Sequence, residues 1–312
     1  MASPPRRILI TGAAGFVGRH LTKSLAATYP DASLLTPTID VTVPTEVSGL
    51  LRSASPDSCI HLAAISTIAA AQQDQDRAWQ VNLHGTLSLA HAILRYAPEC
   101  QLIFASTADA YGASFESGAK LDEHAPLAPL NTYSATKAAA DLALGSMARQ
   151  GLRVVRLRPF NHTGPGQTAQ FVVAAFARQV ARIAAGLQPP VLEVGNLEPR
   201  RDFLDVRDVC AAYIACVDRR DILVPGAIFN IASGEAKRIG DILLALQELV
   251  GISAEVRVDQ SRIRTTDLPL AHGDATQARS VLGWTPTTPW SQTVQDVLSD
   301  WRRRIDTEPD EN

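Results

Sequence analysis

The stretch that most restricts the fold stands at the start of the chain. Arg6-Arg7-Ile8-Leu9-Ile10-Thr11 reads as a short buried strand and runs directly into Gly12-Ala13-Ala14-Gly15-Phe16-Val17-Gly18. An amphipathic helix follows through Leu21, Leu25 and Ala26. In a strand, glycine loop and helix of this kind, the glycines permit a tight turn, a close approach of backbone to a pyrophosphate, and close packing of helix on strand. The helix N-terminus adds the positive end of a dipole. The spacing is Gly-x-x-Gly-x-x-Gly rather than Gly-x-Gly-x-x-Gly, and its position straight after an apolar strand favours dinucleotide binding over a turn that serves packing alone.

Strand and helix patterns then alternate. Ala32 to Thr36 is a second strand, a helix covers about Pro44 to Ser53, and Asp57 to Ala64 is a third strand ending in small residues. A long helical pattern runs from Gln73 to Tyr96, before a fourth strand at Leu102 to Ser106. This alternation predicts a parallel sheet covered by helices on both faces. The acid expected near the end of the second strand to grip an adenosine ribose is absent, since Leu35-Thr36-Pro37-Thr38 stands there, so NAD and NADP both remain open. His61, inside an apolar strand, is expected to be a hydrogen-bonded core residue rather than a catalyst.

A second candidate is Asn131-Thr132-Tyr133-Ser134-Ala135-Thr136-Lys137, which puts a phenol and an amine four residues apart on one helix face. An ammonium beside a phenol favours the phenolate and brings the group into use near neutrality. Thr107 and Asp109 follow the fourth strand, at the end where open α/β sheets bind ligands.

Composition excludes other classes of function. A net charge of −3 gives no general attraction to nucleic acid or to anionic membranes, so an anionic ligand needs a local arginine cluster. Cys59, Cys100, Cys210 and Cys216 lack disulfide or metal spacing, and no metal is expected. With no signal peptide or membrane span visible, the expected location is cytoplasmic.

The chain resembles the extended short-chain dehydrogenase/reductase family of sugar-nucleotide epimerases, dehydratases and reductases over nearly its whole length. The family's catalytic Ser/Thr, Tyr and Lys fall on Thr107, Tyr133 and Lys137, and its cofactor loop on Gly12, Gly15 and Gly18. Arg158-Pro159-Phe160-Asn161-His162-Thr163-Gly164-Pro165-Gly166-Gln167, and later Asn196 to Phe203, are similar to the branch that handles GDP-mannose derivatives. The resemblance implies a Rossmann-like, doubly wound α/β fold with a smaller C-terminal substrate-binding α/β domain. It implies a cofactor domain of residues 1–160 plus about 204–232, interleaved with a substrate domain of 161–203 and 233–312. NADPH or NADH would contact Phe16, Val17, Asp40, Val41, Leu62, Ala63, Ala64 and Asn82 besides the glycines, Tyr133 and Lys137. Asn161, Val172, Arg182, Asn196, Arg201, Arg264 and Asp267 would hold the nucleotide sugar, with the arginines on phosphate. A homodimer paired through helices near 73–96 and 131–150 is also implied.

The reaction turns on the residues after Thr107. A 4,6-dehydratase of this family carries a Glu two residues beyond the Thr, and this chain has Ala108 and Asp109. Ala108 transfers no proton, and Asp109 is one methylene shorter, a displacement of about 1 Å that costs roughly a hundredfold in rate. Reduction of GDP-4-keto-6-deoxy-mannose, which needs Thr, Tyr, Lys and a reduced cofactor, is therefore preferred. Dehydration of GDP-mannose, 4-epimerisation and a non-catalytic dinucleotide sensor follow in that order.

Overall fold

The computed structural model describes residues 4–263 and 268–305. Strand β1 (Arg7–Thr11) leads through the glycine loop into helix α1 (Phe16–Thr28), whose Leu21 and Leu25 are fully buried. Strands β2 (Ser33–Leu35) and β3 (Ser58–His61) flank β1, with helix α2 (Pro44–Ala54) between them in sequence.

The run from Gln73 to Tyr96 departs from the single helix its periodicity predicts. Short helices α3 (Ile68–Gln73) and α4 (Gln75–Trp79) meet at Asp74, whose carboxylate caps α4 through the Arg77 N–H at 2.9 Å. A π-helical turn (Gln80–Gly85) then precedes α5 (Thr86–Tyr96). The Asn82 side chain bonds both backbone groups of Ile65, and the Thr86 hydroxyl returns to the Asn82 carbonyl at 2.7 Å. Side chains that engage backbone in this way compete with regular α-helix. A wider turn keeps the same apolar face, so the sequence pattern does not reveal it.

Strand β4 (Gln101–Ala105) runs into a 3-10 helical segment (Ala108–Ser117), and α6 (Thr132–Ala148) leads to β5 (Val154–Pro159). Short strand β6 (Asn161–Thr163), helix α7 (Val172–Ala184) and strands β7 (Val191–Val194) and β8 (Arg200–Asp205) follow, then helix α8 (Val206–Asp218). Only then does β9 (Ala227–Ile231) pair with β5, completing a six-stranded parallel sheet ordered β2-β1-β3-β4-β5-β9. The C-terminal part comprises β10 (Ala236–Arg238), α9 (Ile239–Val250), β11 (Glu255–Val258), β12 (Leu270–Ala271) and α10 (Trp290–Ile305). Here β8 pairs with β6, β10 and β12, and β7 pairs with β11.

Apolar burial follows the same division. One core lies between the sheet, α1 and α8, through Ile8, Ile10, Ile103, Val209 and Tyr213. Another lies on the opposite face of the sheet, through Leu9, Cys59, Phe104 and Leu144. A third joins α7, α9 and α10 through Phe176, Leu243 and Trp301. A fully buried Leu or Phe contributes roughly 1.5–3 kcal/mol, so each core holds its layer together. The four cysteines are free and buried, and no described helix is long and apolar enough to cross a membrane.

Candidate active site

The carboxyl ends of β1, β3, β4 and β5 converge on one crevice. At β1 the chain turns through Gly12 at φ +73°, where an added Cβ would sit 2.7 Å from the Ala63 nitrogen. The turn lies against the Leu62–Ala63 backbone just beyond β3, which is why position 12 carries no side chain. Helix α1 starts beyond Gly15 with no side-chain cap, so its first N–H groups face outward as donors for an anion. The loop thus fits a dinucleotide pyrophosphate.

Asp40, between β2 and α2, is engaged by its neighbours. Its carboxylate accepts from the Thr42 hydroxyl at 2.7 Å and the Thr42 N–H at 2.9 Å and pairs with Arg77 at 3.0 Å, and these bonds hold its pKa low. Val41 is buried against Gly85. His61 is a core residue, as expected. The Thr86 hydroxyl proton is committed to the Asn82 carbonyl, so His61 Nε2–H donates to Thr86 at 3.0 Å and Nδ1 accepts from Thr11 at 2.6 Å. Burial, with Lys137 nearby, pushes this imidazole down to about 3. Asn82 also donates to Thr136 on α6 at 3.0 Å, tying the π-helical turn to the helix that carries Tyr133 and Lys137.

Helix α6 begins with a capping box in which Asn131 and Ser134 satisfy each other's backbone. Tyr133 then stands in the first turn, partly exposed, with Lys137 one turn deeper and buried. Thr107 is buried at the start of the 3-10 segment, accepts from the Asp109 N–H at 3.2 Å, and lies near enough to the Tyr133 hydroxyl to act on its pKa. The expected trio is therefore assembled.

Its electrostatics differ from the expectation that Lys137 holds the phenol down. Burial first, and the Asp109 charge second, push the Tyr133 pKa up, with Thr107 opposing them. The Lys137 amine is itself pushed down to about 7 by burial, against the pull of Asp141. Its Nζ lies 4.2 Å from the centre of the Phe104 ring, an attraction that favours the ammonium. An amine titrating near neutrality is a weaker source of positive potential than a surface lysine, so burial governs the phenol.

Beneath the trio lies a charged network that the sequence reading did not identify. Asp141, fully buried on α6, accepts from the Ser106 hydroxyl at 2.6 Å, from Arg156 at 2.9 Å, and from Arg158 at 2.9 and 3.0 Å. Arg158 also donates to the Tyr111 hydroxyl, which donates to Asn230 on β9. This network fixes the end of β4 against α6, and so fixes Thr107 relative to Tyr133.

A cavity of about 420 Å³ opens beyond β6. Of the residues expected to hold substrate, Asn161, Val172, Asn196 and Arg201 line it. Arg182 does not; it reaches the Leu187 carbonyl at the far end of α7. Arg264 and Asp267 lie outside the described residues. Arg262, Glu193, Gln167 and His162 line the cavity without having been singled out. Arg262 sits two residues before the arginine chosen from the motif and pairs with Glu193 at 3.3 Å.

A glycine loop at the switch-like end of a parallel sheet, with Thr, Tyr and Lys beside it and an arginine-bearing cavity beyond, defines a dinucleotide-dependent enzyme class. Residues 8–232 match the NAD dependent epimerase/dehydratase family, and the chain belongs to it. It is 36% identical over 303 residues to the GDP-6-deoxy-D-mannose reductase of Pseudomonas aeruginosa, covering 96% of this chain and 98% of that protein. The GDP-6-deoxy-D-talose 4-dehydrogenase of Aggregatibacter actinomycetemcomitans is 29% identical, over 89% of this chain and 91% of that one. Among solved structures, RMD from Pseudomonas aeruginosa complexed with NADPH superimposes with a TM-score of 0.88 at 34% identity, over 96% of this chain and 99% of that one.

Proposed function

We propose that this protein reduces the C4 keto group of a nucleotide-linked 6-deoxyhexose. The substrate is GDP-4-keto-6-deoxy-mannose, and the product is GDP-rhamnose or its C4 epimer. The observation that carries the reading is Thr107 beside Tyr133, with Lys137 one turn along α6, followed by Ala108 where no proton transfer is possible. Bound NADPH or NADH supplies the hydride. Thr107 orients the keto oxygen, and Tyr133 gives its hydroxyl proton to that oxygen as C4 becomes an alcohol. Lys137 holds the nicotinamide ribose and, when protonated, stabilises the phenolate left behind. Burial and Asp109 keep Tyr133 protonated at neutral pH, the state a proton donor requires.

Gly12, Gly15 and Gly18, with Phe16 and Val17, take the pyrophosphate, and residues 1–160 with about 204–232 form the cofactor unit. The absence of an acid in Leu35-Thr36-Pro37-Thr38 at the end of β2 removes the usual grip on a ribose 2′-hydroxyl, and together with the NADPH-bound relative this supports NADPH. Arg201 and Arg262 take the diphosphate, with Asn161 and Asn196 beside them. The two GDP-sugar relatives support guanine as the base. Leu142, 60% exposed on α6, supports pairing of two copies through that helix, and four buried free cysteines support a reducing compartment such as the cytoplasm.

The test is incubation with GDP-mannose and, separately, with its 4-keto-6-deoxy derivative, following NADPH or NADH absorbance and product mass. Reduction gives cofactor oxidation with the keto sugar only. Loss of water from GDP-mannose without net oxidation identifies a dehydratase and overturns the proposal.

A further inference from the structure

His162 stands where the cofactor loop meets the substrate cavity. Its ring is stacked on Phe16, the first residue of α1, with centroids 6.3 Å apart and planes 8° from parallel. The loop after β6 is clamped to the same helix. His20 lies edge-on to Phe16 and donates from Nε2 to the Pro165 carbonyl at 2.8 Å, while Arg19 donates to the Gly166 carbonyl at 3.2 Å. His162 is thus held by the element that starts the cofactor site while also lining the cavity.

The protonation of this ring is fixed by one bond. Nδ1 lies 2.9 Å from the Phe160 carbonyl oxygen, and a carbonyl only accepts, so Nδ1 carries the proton. Burial lowers the imidazole pKa and keeps the ring neutral. Nε2 of a neutral ring protonated at Nδ1 has a lone pair and no hydrogen. Such an atom repels phosphate oxygens, which also only accept, and pairs with a hydroxyl.

Position selects which hydroxyl. Strand β6 begins two residues after the end of β5, so His162 lies on the side of the cavity nearest the carboxyl ends of the parallel sheet, the end from which Thr107 follows β4. Arg262 and Glu193 belong to the β7 side of the cavity. A nucleotide sugar with its diphosphate on the arginines brings its hexose past His162. Resting on the nucleotide-sugar reading above, we infer that Nε2 of His162 accepts a hydrogen bond from a ring hydroxyl of the hexose. It is a specificity residue that distinguishes the sugar nucleotide from the bare nucleotide.

The test uses NADPH-loaded protein and calorimetric titration with GDP and with GDP-mannose. His162→Phe keeps a flat ring on Phe16 and removes the acceptor. The expected result is a loss of about tenfold in affinity for GDP-mannose, the scale of one hydrogen bond, with GDP and NADPH binding within about twofold of wild type. His162→Gln, whose amide supplies both a donor and an acceptor, recovers part of the loss. Should His162→Phe fail to fold, His162→Leu carries the same comparison. Unchanged GDP-mannose affinity, or an equal fall for GDP and GDP-mannose, overturns the inference. If the wild type reduces no keto sugar but GDP-mannose affinity falls selectively, the proposed reaction fails and the role of His162 stands. If the wild type binds neither nucleotide, both fail.

Discussion

Asp141→Ala tests how far the buried network sustains the fold. The carboxylate is fully buried, and the side chains of its partners Arg156 and Arg158 are 10% and 3% exposed. Removing it leaves two guanidiniums with fixed charge and no counter-ion. Arg156 keeps the Asp141 and Gly226 carbonyls, and Arg158 keeps Tyr111 and the Glu123 carbonyl. Breaking a buried pair by deleting one partner costs about 3–5 kcal/mol. That is a third or more of a typical total of about 5–15 kcal/mol. At about 2–4 °C per kcal/mol for chains of this class, Tm falls by roughly 6–20 °C. Differential scanning calorimetry and urea midpoints measure it. The partners hold the Asp141 pKa below its unfolded value of about 3.9, so its contribution is complete above that pH and is lost as pH falls through the folded value. Asp141→Leu combined with Arg156→Met and Arg158→Met recovers most of the loss, because the cost lies in the stranded charges. A Tm drop below about 2 °C for Asp141→Ala, or no recovery in the triple variant, refutes this account.

Tyr133→Phe lowers turnover of the keto sugar by about 10²–10⁴ while calorimetry finds NADPH affinity nearly unchanged; retention of most activity removes Tyr133 as proton donor. Asp109→Asn takes away a charge that raises the Tyr133 pKa, so the alkaline limb of the pH–rate profile moves to lower pH, and an unmoved limb contradicts that coupling. Lys137 has a folded pKa of about 7, below its unfolded value of about 10.4, so the folded state binds fewer protons between the two and its contribution to stability rises with pH across that window. Urea midpoints at pH 7 and pH 9 should therefore diverge more for wild type than for Lys137→Met, and equal divergence counts against a depressed amine.

The sequence was most readable where backbone geometry and spacing coincide. Gly12 is required by a left-handed turn pressed against Ala63, and such a turn leaves its mark as glycine. Tyr133 and Lys137 are one helical turn apart in any helix, so their adjacency followed from numbering alone. Asn161 and Arg201 reach one cavity because β6 and β8 pair, which a motif match anticipates without explaining. Interactions between distant segments were harder to see. Asp141 is one acid in an alanine-rich helix, and its meaning depends on Arg156 and Arg158 lying on the same face of β5. Two charges at i and i+2 inside an apolar strand were a usable signal, since buried cations need a buried acid. The role of His162 depends on which nitrogen bears the proton, and the sign of the Tyr133 shift depends on burial; neither quantity is encoded locally. Arg182 was misplaced because helical spacing gives a face without saying what that face meets.

The late return of β9 has a consequence during synthesis. About 70 residues separate the end of β5 from the strand that closes it, which is roughly 4–14 s of translation at about 5–20 residues per second. Through that interval the nascent N-terminal half carries β5 as an open edge, with Tyr111 lacking Asn230 and Arg156 lacking the Gly226 carbonyl. Unpaired parallel edges invite association with neighbouring chains. The ribosome's pace over the segment from β6 to α8 therefore sets how long this chain is open to aggregation before its first sheet is complete.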